Sequence, residues 1–202
     1  EALDVDLVVL GQSLHGNFAF DRVTSGANAG ALRIAATDVS LALGDGTTKV
    51  IEVTDGEGAL LYTSSGLAGR IGAQVTTNIP GVEFHGTLSV AVNTTGAEVD
   101  TAFAVGDQSV ALALPAGPFL RIAVEEIPGV GGGSATPATL TLAGQTLSGN
   151  FVLEQTTSVA TGARIIRVGA SDVALTLRAG STEILSLTDG EGVLVLTPAG
   201  LA

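Results

Sequence analysis

The residues best suited to chemistry in this chain are carboxylates carried on glycines. Thr54-Asp55-Gly56-Glu57-Gly58 returns as Thr188-Asp189-Gly190-Glu191-Gly192. Two carboxylates on a glycine-permitted tight turn are hard oxygen donors of the kind calcium takes, and calcium needs roughly 6–8 such oxygens. Further ligands must therefore come from elsewhere, and Asp38, matched by Asp172, is the nearest acidic position retained in both blocks. The calcium candidates are Asp38, Asp55 and Glu57, with Asp172, Asp189 and Glu191 as their counterparts. Asp45 aligns with Ala179, so a ligand role there is not shared. The blocks fit neither an EF-hand loop nor the Gly-Gly-x-Gly-x-Asp calcium repeat. The competing reading makes each Asp-Gly a hairpin turn and each Glu a solvated rim residue.

Other chemistry is thin. His15 and His85 occupy the same slot of a short motif, and Ser148 and Ala68 fill that slot elsewhere, which suits a solvent-facing strand position. Ser13, His15 and Asp38 assemble a triad on paper, but nothing resembles a nucleophile elbow or an oxyanion loop, and no enzymatic activity is expected. A polysaccharide-active enzyme would need paired carboxylates about 5–10 Å apart. The glycine-rich stretch 129–133 lacks the Gly-x-x-x-x-Gly-Lys pattern of a phosphate cradle and reads as linker. Asn93-Thr94-Thr95 matches the N-glycosylation acceptor pattern. The seven aromatics lie mostly on apolar strand faces, as core residues would.

Composition narrows the classes further. The chain has 202 residues, 46% hydrophobic and 14% charged, which excludes a disordered polypeptide. No apolar run approaches the roughly 18 residues of a membrane-spanning helix. Eight basic against twenty acidic residues give a net charge of −12, the wrong sign for nucleic acid or anionic lipid. With no cysteine there are no disulfides, thiolate zinc sites or cysteine nucleophiles.

The strongest signal is internal repetition. Gly11-Gln12-Ser13-Leu14-His15-Gly16-Asn17-Phe18 returns as Gly144-Gln145-Thr146-Leu147-Ser148-Gly149-Asn150-Phe151, an offset of 133 positions from Gly11 to Gly144. Asp38-Val39-x-Leu41-x-Leu43 returns as Asp172-Val173-x-Leu175-x-Leu177, now offset by 134. Gly66-Leu67-Ala68 is the last match, to Gly200-Leu201-Ala202. About one and a half repeats are present, as in a segment of a longer tandem array.

The elements that must position these residues are strands. Alternation runs through Leu3/Val5/Leu7/Val9, Val39/Leu41/Leu43, Val82 to Val92, Val110/Leu112/Leu114, Leu140/Leu142 and Val173/Leu175/Leu177. The motif apolar-x-Gly-x-apolar-x-apolar recurs around Gly16, Gly69, Gly86 and Gly149, its glycine marking a bulge or a close backbone approach. Asp45-Gly46, Asp55-Gly56, Pro80-Gly81, Gly106-Asp107, Pro128-Gly129 and Asp189-Gly190 are read as turns between runs. The expected fold is all-β and elongated, a mainly antiparallel sandwich or meander of tandem repeats, with an irregular β-solenoid as the alternative. Residues 1–127 form the first repeat, 128–137 a Gly/Pro-rich linker or loop, and 138–202 the first half of the second.

The repeated Gly-Gln-x-Leu-x-Gly-Asn-Phe and Thr-Asp-Gly-Glu-Gly blocks, together with Leu114-Pro115-Ala116-Gly117-Pro118-Phe119-Leu120-Arg121, resemble repeats of very long bacterial secreted or surface proteins of the adhesin-like or hemolysin-like kind. The resemblance implies an extracellular tandem array acting as a stalk, sheath or filament, and it carries over no functional residue. The expected function is a structural segment whose partners are copies of itself. The alternative is a calcium-stabilised module that binds surface carbohydrate.

Overall fold

The computed structural model describes residues 1–9, 12–24, 29–44, 49–77, 79–127, 134–158, 161–197 and 200–201. The fold is all-β, without helix among the described residues. Its strands are β1 (Ala2–Val9), β2 (Gln12–Arg22), β3 (Leu32–Gly44), β4 (Lys49–Thr63), β5 (Gly66–Thr77), β6 (Val82–Asn93), β7 (Val99–Val105), β8 (Gln108–Leu114), β9 (Phe119–Glu125), β10 (Thr139–Leu142), β11 (Gln145–Thr157), β12 (Arg164–Ala179), β13 (Thr182–Thr197) and β14 (Gly200–Leu201). Among the described residues no helix is long and apolar enough to cross a membrane.

Sheet order follows chain order: β1 to β6 are successive neighbours, then β10 to β14, with β9 pairing β11 and β6 beside that path. β7 and β8 form a separate two-stranded sheet. Neighbours joined by short loops pair antiparallel, as in β1–β2, β2–β3, β7–β8, β10–β11 and β12–β13. This meander replaces the solenoid alternative, because short connections return the chain beside itself in the opposite sense. Ala143 and Gly144, both left-handed at φ 49° and 78°, make the two-residue loop between β10 and β11.

Contacts divide the chain into two compact units that do not follow the sequence halves. The first comprises Glu1–Ala42, Val53–Ala73 and Ser89–Arg121, and the second Leu43–Glu52, Gln74–Leu88 and Ile122–Ala202. Strands β3 to β6 and β9 supply residues to both. Residues 128–133 of the expected linker, and the dipeptides Asp45-Gly46 and Pro128-Gly129, lie outside the described residues. The ends of that segment are tied by antiparallel bridging of Ile127 to Thr136.

The first unit has a buried core. Hairpin β7–β8 alternates strictly, turning Phe103, Val105, Val110, Leu112 and Leu114 inward into one cluster with Ala31 just before β3, Ala35 of β3, Ala59 and Leu61 of β4, and Ala68 of β5. Small side chains on the sheet let the hairpin approach closely. Each large side chain buried this way contributes about 1.5–3 kcal/mol. In the second unit β13 is exposed along almost its whole length, including Ile184, Val193 and Leu196.

Candidate functional site

The duplicated blocks converge on one local arrangement, which occurs twice. Asp38, Asp55, Asp172 and Asp189 all adopt left-handed backbone, with φ between 51° and 55°. Asp and Asn tolerate this region better than other side chains because they are short and polar. All four lie inside strands, Asp38 in β3, Asp55 in β4, Asp172 in β12 and Asp189 in β13. The turn reading of Asp55-Gly56 and Asp189-Gly190 is therefore corrected: both dipeptides sit in mid-strand. A left-handed residue serves a bulge as well as a hairpin loop, so the same dipeptide fits either. Pairing shifts register beside these residues, between Ala170 and Val173 on β12 and between His15 and Asn17 on β2.

The glycines make room where the irregularities stack. A Cβ on Gly16 would lie 3.2 Å from the Val39 Cα, and one on Gly56 would lie 2.9 Å from the Val39 carbonyl oxygen. Val39 is thus flanked by glycine on both neighbouring strands. Val173 is flanked in the same way by Gly149 and Gly190.

Asparagine ties each arrangement to the next strand. Asn17 Nδ2 donates to Asp38 Oδ2 at 2.8 Å, and its Oδ1 accepts from the Asp4 amide at 2.8 Å. Asn150 Nδ2 donates to Asp172 Oδ2 at 3.3 Å, and its Oδ1 accepts from the Glu126 amide at 3.0 Å. Gln108, at the start of β8, also donates to Asp38 Oδ2, at 2.7 Å. Two of the six calcium candidates, Asp38 and Asp172, are exposed residues that accept side-chain hydrogen bonds from neighbouring strands. Asp55, Glu57, Asp189 and Glu191 are exposed as well. Among the described residues no three or more His, Cys, Asp or Glu side chains gather closely enough to hold a metal ion.

An ion pair is duplicated as well. Arg33 Nε donates to Asp21 Oδ1 at 2.7 Å, with a second contact from Nη2 to Oδ2, and its guanidinium lies 5.7 Å from the Phe103 ring centroid. Hydrogen bonding to Arg33 holds the Asp21 carboxyl below the ordinary carboxylate value, and the same bond raises Arg33. Glu154 and Arg167 repeat the pair at 3.4 Å. Sequence reasoning passed over both pairs, because at different residue types and in strands apart nothing marked them as partners.

The remaining candidates resolve as follows. His15 on β2 reaches back to β1, with Nε2 3.3 Å from Asp4 Oδ1 and Nδ1 3.1 Å from Asp6 Oδ1. His85 Nδ1 is 2.9 Å from Thr76 Oγ1. Asn93 is fully buried: Nδ2 donates to the Ala97 and Pro115 carbonyls and Oδ1 accepts from the Thr95 amide and hydroxyl, all at 2.8–2.9 Å. The glycosylation pattern there is the signature of a side-chain-bonded turn, in which Thr95 serves Asn93. No family model, no curated protein and no solved structure matches this chain.

Proposed function

We propose that this chain is a structural segment of an extracellular bacterial filament, sheath or adhesin stalk, and that it assembles with copies of itself through its sheet surfaces and strand edges. The observation that carries the reading is an apolar surface left exposed at matching positions of the two blocks: Phe20 and Tyr62 in one, Leu153 and Leu196 in the other, exposed by 60, 62, 40 and 45%. Ile71 adds to the first set and Leu194 to the second. In the second block the row runs across strands, Leu153 pairing Val168 and Val168 pairing Leu194, and contiguous apolar surface marks interaction faces. The duplicated hydrogen bonds tie neighbouring strands together, which supports the rigidity a stalk needs.

Electron microscopy of the purified chain, with calcium and then with chelator, tests the reading. Filaments with a regular axial repeat that persist in chelator are the expected result. Rods that collapse in chelator would transfer the role to calcium at Asp55, Glu57, Asp189 and Glu191. Compact monomers in both conditions, with no concentration-dependent sedimentation, would refute assembly.

A further inference from the structure

In the first unit Ala19, Ala35 and Ala59 form a small-residue floor beneath hairpin β7–β8, with Ala35 and Ala59 each 2% exposed. The sequence offsets place Val152, Gly169 and Val193 at these positions in the second block. They too lie in one row, Val152 paired with Gly169 and Gly169 with Val193. Their surroundings differ. Val193 is 75% exposed, and all three line an open depression of 310 Å³ together with Asn150 and Gly192.

The polar anchors of the hairpin are repeated on β11 and β12, the strands that carry Val152 and Gly169. In the first unit Phe103 of β7 meets Arg33, and Gln108 of β8 donates to Asp38. Arg167, held by Glu154, and Asp172, held by Asn150, take the places of Arg33 and Asp38. In the first unit hairpin β7–β8 answers all three features, meeting the small-residue row, the cation and the carboxylate.

We infer that the face of β11–β13 bearing Val152, Gly169 and Val193 seats a two-stranded β-hairpin of the β7–β8 type, one with an aromatic side chain for Arg167, an amide for Asp172 and an alternating apolar face between them. Side-chain volumes refine the occupant. Alanine is replaced by valine at Val152 and Val193 and by glycine at Gly169, so the seated hairpin carries its bulkiest residue over Gly169 and smaller ones to either side. The inference rests on the internal repeat and is independent of filament formation.

The absence of cysteine from the chain makes a single thiol a clean probe. Val193→Cys is labelled with a soluble maleimide in the 202-residue chain and in a chain extended after Ala202 by a second copy of residues 69–121, with Ala59→Cys as the protected control. Labelling of Val193→Cys is expected to be fast in the first and slower by at least roughly tenfold in the second. A further extended form adding Val152→Ala and Gly169→Ala recreates the floor beneath β7–β8 and removes any mismatch of volume. Fast labelling in both extended forms, with Ala59→Cys still protected, would overturn the inference while leaving the filament reading intact. Protection that rises with concentration in the unextended chain would also overturn it, naming a second copy as the occupant instead.

Discussion

Asn17 and Asp38 are joined by a 2.8 Å hydrogen bond from Nδ2 to Oδ2 across β2 and β3, and the amide carbonyl of the same asparagine accepts the Asp4 N–H of β1. One side chain thus spans three adjacent strands where the ladder between β2 and β3 is interrupted. In the second block Asn150 likewise joins Asp172 of β12 to the Glu126 amide, just past the end of β9. Bulges leave ladder groups unpaired, and a side-chain amide with one donor end and one acceptor end repairs the gap on both sides.

Asn17→Ala is expected to lower unfolding free energy by about 1–2 kcal/mol, chiefly from the lost bonds to the charged Asp38 and from the Asp4 amide, with a longer one to Thr37 beside them. Asn150→Ala should cost less, since its bond to Asp172 is longer. Asn17→Asp places a second carboxylate beside Asp38 and should be more harmful than Asn17→Ala at neutral pH, recovering as the solution is acidified. Urea unfolding of the three variants across pH checks the order.

Glycine at positions 56 and 190 is required to different degrees. A methyl at Gly56 meets Val39 Cβ at 2.8 Å and its carbonyl at 2.9 Å, whereas at Gly190 the nearest atoms are 3.2 Å away. Gly56→Ala should therefore destabilise by about 1–3 kcal/mol and Gly190→Ala by visibly less. Gly192→Ala, with nothing within 4 Å, should be close to neutral, unlike Gly58→Ala, whose Cβ lies 3.1 Å from the Arg70 carbonyl. Equal melting temperatures for Gly56→Ala and Gly192→Ala would contradict the packing described.

The Asp21–Arg33 pair sets an acid limit. Because the folded state lowers the Asp21 pKa, its contribution is present above the unfolded-state value of about 3.9 and is lost as pH falls through the lower folded value. The pair is partly exposed, so its worth at neutral pH is at most about 1 kcal/mol. Asp21→Asn should be slightly less stable than the parent at pH 7 and equal to it well below pH 4. A stability gap unchanged down to pH 2 would show that the charge plays no part.

Asn93 fills every polar atom of its side chain in a site closed to solvent. Asn93→Ala strips the Ala97 and Pro115 carbonyls of a donor, at an expected cost of about 2–3 kcal/mol. The same burial means that folded protein presented to a glycosylating enzyme stays unmodified at Asn93, which intact-mass measurement reads directly.

Local pattern was enough to determine that this protein is built of strands. Period-two alternation located β1, β3, β6, β8, β10 and β12, and the glycine of the short motif marked the register shifts at Gly16 and Gly149. These signals are legible because side-chain direction alternates with chain position alone. Asp55-Gly56 was ambiguous for an equally local reason: left-handed backbone serves a turn and a bulge alike, and only the strand continuing on either side chooses between them. The partners of Asp38 come from Asn17 and Gln108, 21 and 70 residues away, so pairing and packing had to place them. Tertiary structure alone also decided that Ala59 is covered while Val193 is bare, because burial depends on what lies across the face and not on the alternation that creates it.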